Sequence, residues 1–216
     1  MSHTLSEYES KQLLRTYGVP TVSEALAADA NAAAARAVEI GVPAVLKLCG
    51  AAIAHKTERD LVRLNLADVD AVRAAAAELL GRKRSEDGDA QLLVQAMVRG
   101  RREIIVGLVR DAQFGPCVML GMGGILAEAI RDVVFRMAPL THGDALDMLT
   151  EIKAAHLLDA FRGEPAVDRD ALARILIAVG QIGTDRADVL SLDINPLIIH
   201  GAQPIAVDAL VELADG

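Results

Sequence analysis

Residues 103–124 read EIIVGLVRDAQFGPCVMLGMGG. Two apolar runs, 103–110 and 116–121, flank the polar turn DAQFG at 111–115. A third apolar run, 91–98, precedes them and ends just before Gly100. Short apolar runs separated by turn residues predict three successive strands, most simply an antiparallel meander.

Helical and strand patterns alternate on both sides of this stretch. Capping residues and apolar spacing predict helices at 6–18, 29–40, 68–80, 144–153 and 168–182. Further strands are expected at 21–26, 44–49, 61–66, 189–194 and 204–207. The polar stretch RKRSEDGD at 82–89 is typical of a surface loop between domains. The sequence therefore predicts an α+β protein of two lobes, 1–89 and 90–216.

Composition excludes several functional classes. The net charge is −8 and aromatic residues make up only 2% of the 216 residues, which argues against a nucleic-acid-binding protein. The longest apolar run, 117–127, is too short to cross a membrane, and no signal-peptide pattern begins the chain. The two cysteines lie far apart in apolar runs, as expected for buried thiols in a cytoplasmic protein.

Lysine is scarce, since the chain has 17 arginines and only five lysines. Lys47 nevertheless lies in the apolar run AVLKLC at 44–49. It could face solvent, or it could point from a rigid strand toward an anion. Lys56 follows in a loop beside His55, and this neighbouring cation favours an unprotonated, nucleophilic imidazole. Two lysines around one short loop predict an anion site.

A glycine cluster and an Asp-x-Asn pair mark two further candidate sites. The glycines at 121, 123 and 124 would let backbone N–H groups approach an anion, although a tight turn explains them equally well. Strand alternation puts Asp193 and Asn195 on one face, and Asp208 ends the next apolar run. Such oxygen donors suit Mg²⁺, but Asn-Pro at 195–196 is also a common turn.

Together these motifs resemble the ATP-grasp β subunit or domain of the ADP-forming acyl-CoA synthetases. Acetate–CoA ligase is the best-known member of that family, and the β subunit of succinyl-CoA synthetase is a more distant relative. The matching stretches cover nearly the whole chain: SEYESKQLLRTYGVP (6–20), PAVLKL (43–48), HKTE (55–58), LLVQAMV (92–98), EIIVGLVRDAQFGPCVMLGMGGILAE (103–128), FRMAPL (135–140) and DINPLII (193–199).

The resemblance implies an ATP-grasp fold, in which two α+β lobes hold ATP or ADP in the cleft between them. Lys47, with Lys56, would contact the nucleotide phosphates, and Glu103 would lie at the ribose. The backbone of Gln95, Ala96, Met97 and Val98 would read the adenine edge, and Gly121, Gly123 and Gly124 would complete the nucleotide site. Asn195 and Asp208, with Asp193 beside them, match the Mg²⁺ ligands. His55 matches the histidine that relays a phosphoryl group.

The implied reaction is acyl-CoA + ADP + phosphate ⇌ carboxylate + CoA + ATP. In this family a separate CoA-binding module carries its own phosphorylated histidine. We expect that module to be a partner α subunit, and hence a hetero-oligomer, because 216 residues leave room only for the two nucleotide-binding lobes.

Two positions depart from the family pattern. Asp60 and Leu61 replace a glycine pair, and Leu210 replaces the arginine that commonly follows Asp-Ala. The change at Asp60 and Leu61 motivates an alternative hypothesis, a non-catalytic ATP-grasp module that binds nucleotide and regulates a partner. A third hypothesis, a carboxylate ligase that acts alone, is disfavoured by the short chain.

Overall fold

The computed structural model of the chain describes residues 1–53, 56, 58–124 and 132–215. The chain divides into two compact units. The small unit comprises Thr4–Glu9 and Val22–Met97, and the large unit comprises Met1–His3, Ser10–Thr21 and Val98–Gly216. Each unit combines one β-sheet with helices, which confirms the predicted α+β class.

The small unit is a four-stranded antiparallel sheet with helices packed on it, in the strand order β2-β5-β3-β4. Its elements are the first turn of α1 (Glu7–Thr16), β2 (Glu24–Ala27), α2 (Ala30–Ile40), β3 (Ala44–Cys49), β4 (Val62–Leu66), α3 (Val69–Gly81) and β5 (Gln91–Ala96). Asp29 and Asp68 cap α2 and α3 by accepting backbone N–H bonds. Alanines on the inner faces of these helices let them pack closely on the leucines of β3 and β5.

The large unit is built on a seven-stranded sheet in the order β1-β11-β9-β6-β7-β8, with β10 paired to β9. Its strands are β1 (Ser2–Thr4), β6 (Glu103–Asp111), β7 (Gly115–Met122), β8 (Val133–Met137), β9 (Val189–His200), β10 (Gln203–Ala206) and β11 (Ala209–Ala214). Helix α5 (Arg169–Asp185) packs on β6 and β7, and α4 (His142–Glu151) packs on α5 and β8. The β6–β7 hairpin predicted from the opening stretch is confirmed.

Three features of the sheets differ from the sequence predictions. β5 pairs with β2 and β3 instead of continuing a meander into β6, so the division after Met97 replaces the predicted boundary after residue 89. Strands β1 and β8, which were not predicted, lie at the two edges of the sheet. β11 was also missed, although it lies inside the sheet between β1 and β9. β9 continues to His200 through Asn195 and Pro196, so the alternative of a turn there is wrong.

No helix among the described residues has the length and apolar character needed to cross a bilayer. The longest of them, α5, is amphipathic, with apolar residues on the side that packs against the sheet.

Candidate functional site

Lys47 lies in the middle of β3 and is buried, which excludes the solvent-facing alternative. Its Nζ donates to Oε1 of Glu7 at 2.6 Å, and the two side chains are only 8% and 1% exposed. A buried ammonium is tolerated when a carboxylate compensates its charge. Lys47 is therefore held at a fixed place by a counter-ion 40 residues away in sequence.

The other oxygen of Glu7 accepts a bond from Lys56, whose side chain is 11% exposed. Gln95 Nε2 also donates to Oε1 of Glu7 at 2.8 Å, and to Oε2 of Glu24 at 2.9 Å. We call Glu7, Lys47, Lys56 and Gln95 the Glu7 cluster. It brings together three of the predicted nucleotide-site residues around a carboxylate that the sequence analysis had not singled out.

Strand register explains how the sequence builds this cluster. Lys47 pairs with Leu93 across β3 and β5, and Val45 pairs with Gln95. Residues two apart on a strand share a face, so Lys47 and Gln95 point to the same side of the sheet. Glu7 reaches that side from the first turn of α1, where acidic residues also stabilise the helix N-terminus.

A second, separate ion pair anchors the loop that follows Lys56. Arg59 donates from both terminal nitrogens to Asp87, at 2.6 and 2.9 Å, and the Asp87 side chain is fully buried. The Arg59 guanidinium lowers the pKa of Asp87 to about 2. A backbone N–H from Arg84 acts in the same direction. The polar stretch 82–89 thus contributes a buried anchor as well as a surface loop.

Asp60 adopts a backbone φ of 54°, in the left-handed region that favours glycine. Aspartate tolerates this region better than most residues, and Arg63 holds its carboxylate with two bonds at 2.9 and 3.2 Å. Leu61 is buried, and its carbonyl accepts a bond from Leu48 N–H. The departure from the family glycine pair therefore keeps a glycine-like backbone at Asp60. The predicted catalytic residue, His55, lies outside the described residues.

In the large unit the structure brings Asp193, Asn195 and Asp208 together. Burial raises the pKa of Asp193, the amide of Asn195 opposes that rise, and the charge of Asp208 adds to it. The backbone N–H of Asn195 also donates to the carbonyl of Asp208 at 3.3 Å. Two nearby carboxylates and one amide leave negative charge that a divalent cation would offset.

The bulge in β9 places this triad. Val106 pairs with Ile194 and Ile104 with Leu197, so the two residues 195 and 196 face a single residue on β6. Within the described ranges no group of three His, Cys, Asp or Glu side chains is arranged to hold a metal ion. Asn195 would accordingly have to serve as the third oxygen donor.

Glu103 begins β6 beside the glycine cluster that follows β7. Gly123 N–H donates to the Glu103 carbonyl at 2.7 Å, and a Cβ on Gly123 would lie 3.0 Å from Glu103. Gly124 has a φ of 81° and lies next to the Glu103 carboxylate. A side chain at Gly121 would collide with Val133 of β8. Close packing is thus one reason for the glycines at 121 and 123, and the left-handed backbone is a reason for Gly124.

The remaining predicted positions lie where the chain passes from one unit to the other. Ala96 ends β5 and donates to the Ser23 carbonyl at 2.9 Å, and Met97 N–H donates to the Pro43 carbonyl at 3.2 Å. Val98 is the first residue of the last segment of the large unit. Sequence reasoning missed Glu7 and Asp87, and also Lys11, which is fully buried and donates to the Val207 carbonyl at 3.3 Å. Because the chain has only five lysines, Lys11 could have been selected as a candidate from the sequence alone.

The family model described as "ATP-grasp domain" matches residues 1–213. The chain belongs to the ATP-grasp family. This ATP-grasp chain is 39% identical over 208 residues to the acetate–CoA ligase (ADP-forming) I subunit beta of Pyrococcus furiosus. That alignment covers 95% of this chain and 90% of the relative.

Solved structures agree with this assignment. Dinucleotide-forming acetyl-coenzyme A synthetase 1 of Ca. Korarchaeum cryptofilum, in complex with coenzyme A, Ca-AMPCP and HgCl+, is 38% identical with a TM-score of 0.92. The match covers 98% of this chain and 94% of that chain. A second complex of that synthetase holds coenzyme A and Mg-AMPPCP, with a phosphohistidine segment pointing towards the nucleotide binding site. It matches with a TM-score of 0.84 and 38% identity, over 96% and 92% of the two chains.

These comparisons confirm the ATP-grasp fold and the resemblance to β subunits of ADP-forming acyl-CoA synthetases. The individual roles assigned to the site residues remain predictions, and the structure adds their local geometry. In the small unit that geometry is the Glu7 cluster, and in the large unit it is the Asp193 triad and the Glu103–glycine contact.

Proposed function

We propose that this chain is the nucleotide-binding β subunit of an ADP-forming acyl-CoA synthetase. The reaction is acyl-CoA + ADP + phosphate ⇌ carboxylate + CoA + ATP. The observation that carries the proposal is the Glu7 cluster, in which Lys47 and Lys56 meet at one buried carboxylate. The 39% identity to a β subunit over 95% of the chain supports it.

Phosphoryl transfer depends on positioning and on neutralisation of charge. Lys47, on a rigid strand, and Lys56 supply two positive charges for the phosphates of ADP or ATP. The backbone from Gln95 to Val98 reads the adenine edge. Glu103 bonds the ribose, and Gly121, Gly123 and Gly124 complete the nucleotide site.

Asp193, Asn195 and Asp208 would hold Mg²⁺. The donor set fits this ion, because it consists of oxygen atoms and because the charge of Asp208 destabilises the Asp193 carboxylate without a cation. When bound, Mg²⁺ neutralises phosphate oxygens and helps to orient them.

His55 relays the phosphoryl group. The P–N bond of a phosphohistidine on the partner breaks as one forms to His55, and the second P–N bond then breaks as a terminal oxygen of ADP attacks. Two short transfers replace one long transfer. The partner is a CoA-binding α subunit that forms the acyl phosphate, and the two chains form a hetero-oligomer. The phosphohistidine segment of the Korarchaeum synthetase supports this scheme.

The alternative of a non-catalytic regulatory module rested on the substitution at Asp60 and Leu61. Asp60 keeps the left-handed backbone that glycine would supply, and Leu61 packs into the core. The substitution therefore has a structural explanation and gives no reason to exclude catalysis.

ATP formation tests the proposal. The chain is mixed with a CoA-binding α subunit, ADP, phosphate, Mg²⁺ and a panel of acyl-CoAs, and ATP is measured by luminescence. We expect ATP with at least one acyl-CoA, and a loss of at least about 100-fold in His55→Ala, in line with removal of a nucleophile. Equal signals from the two proteins would contradict the catalytic role.

A further inference from the structure

The Glu7 carboxylate is an unusual group to find beside residues that contact phosphate, because it carries the same sign of charge as the nucleotide. It is 1% exposed, whereas the Lys47 and Lys56 side chains are 8% and 11% exposed. An anion that approaches from solvent therefore meets the ammonium groups before it meets Glu7. Because Glu7 is buried more deeply than the two lysines, it is suited to support them and not to compete with the nucleotide for them.

Each oxygen of Glu7 engages one of the two lysines. Oε1 accepts from Lys47 at 2.6 Å and Oε2 accepts from Lys56. Two ammonium groups this close would repel each other without the shared carboxylate.

The carboxylate is itself held in place from two other elements. Gln95 on β5 donates to Oε1 at 2.8 Å, and the same amide donates to Glu24 on β2. Charged groups around Glu7 in the small unit include Lys47 on β3, Lys56 in the loop and, through Gln95, Glu24 on β2. This network fixes the position of the carboxylate before any nucleotide binds.

From this geometry we propose that Glu7 is a positioning residue for phosphoryl transfer, which sets the place and spacing of Lys47 and Lys56. This inference rests on the proposed function. A loss of alignment lowers the turnover rate more than it lowers affinity, because the lysines keep their charge while misplacement of about 1 Å costs about 100-fold in rate.

The test compares the wild-type chain with Glu7→Gln, Glu7→Asp and the matched control Glu9→Gln, on the same helix turn. Each is assayed with the partner subunit for kcat and for KM of ADP, and the folded fraction is measured by circular dichroism. We expect Glu7→Gln to lower kcat by about 100-fold per folded molecule while KM changes less than about 10-fold. Glu7→Asp keeps the charge and should recover part of kcat. Glu9→Gln should behave like the wild type.

A merely structural role would lower the folded fraction of Glu7→Gln and leave kcat per folded molecule unchanged, which would overturn the inference. If Glu7→Gln does not fold, Glu7→Asp decides, since a kcat equal to that of the wild type overturns the inference and a lowered kcat with little change in KM supports it. A wild-type chain that forms no ATP contradicts the proposed function and the inference with it. An active wild type with an equally active Glu7→Gln contradicts only the inference.

Discussion

Two ion networks of the small unit begin in the same loop and differ in depth. The Glu7 cluster contains Lys56 and is almost fully buried. Four residues further along the chain, Asp60 joins Arg63, Glu78 and Arg82 in a network at the surface, where the Asp60 side chain is 63% exposed. Water competes with every ion pair of the surface network. We therefore expect the fold to depend more on the buried network than on the exposed one.

The pKa directions agree with this contrast. Bonds from Arg63 lower the pKa values of Asp60 and Glu78, with Arg82 adding to both. The Arg59–Asp87 pair lies between the two cases, because its carboxylate is fully buried while its guanidinium is partly exposed. The three networks form a series from deep to shallow, and substitutions along it should show decreasing effects.

The largest effect is expected at Glu7. Glu7→Ala leaves Lys47 and Lys56 buried without their common counter-ion, and breaking a buried ion pair on one side costs about 3–5 kcal/mol. Urea denaturation measures the free energy of unfolding. A loss of unfolding free energy below about 1 kcal/mol would show that the cluster contributes no more than exposed ion pairs do. It would contradict the difference that we expect between the buried and the surface networks.

Asp87→Asn should have the next largest effect and lower the free energy of unfolding by about 3 kcal/mol. The substitution leaves the Arg59 guanidinium without its carboxylate. Asp87 has a folded-state pKa of about 2, against 3.8 for an unperturbed aspartate. Its ion pair therefore contributes fully above about pH 5, and the contribution is lost as the pH falls through 3.8 toward 2.

The contribution of the Arg59–Asp87 pair to stability can also be tested by varying the pH. Between pH 5 and pH 2 the wild type should lose its stability advantage over Asp87→Asn, as measured by urea denaturation at each pH. Parallel stability curves for the two proteins would contradict this assignment of the acid-labile group.

Asp193→Asn in the large unit should increase stability, by less than the two substitutions above decrease it. Burial and the charge of Asp208 raise the pKa of Asp193, so its carboxylate destabilises the metal-free fold at neutral pH. The amide should increase the melting temperature of the metal-free protein while weakening the stabilisation that Mg²⁺ with ADP provides. A melting temperature that falls, or an unchanged response to Mg²⁺, would contradict the account of this triad.

The smallest effect is expected at the surface. Glu78→Gln removes one of the carboxylates that pair with Arg63 and Arg82, and exposed pairs contribute little to stability. The urea midpoint of the variant should be close to that of the wild type, with less difference at high salt. A loss as large as that of Glu7→Ala would show that the surface network is as important as the buried one.

Local patterns predicted much of the fold. The run AVLKLC at 44–49 coincides with β3, and the turn DAQFG joins β6 and β7 as expected. The pairing of β5 was missed, because periodicity identifies a strand but not its partner. β8 was missed because its residues, at the edge of the sheet, are partly exposed on both faces.

The sequence predicted those parts of the candidate site whose residues lie close together in the chain. Asp193 and Asn195 were expected to share a face because they are two residues apart, and the structure brings them together with Asp208. Glu7 could not be found in this way, because 40 residues separate it from Lys47 and its role exists only once α1 and β3 are folded. Lysine at the centre of an apolar strand predicted a partner without identifying it.

Phosphoryl relay through His55 requires that this residue become phosphorylated during turnover. The chain is incubated with Mg²⁺ and ATP labelled at the γ-phosphate, and the labelled peptide is located by mass spectrometry under conditions that preserve phosphohistidine. We expect label on the peptide that contains His55, and none in His55→Ala. A chain that binds Mg²⁺ and ATP but carries no label at His55 would contradict phosphoryl relay and would support the regulatory alternative.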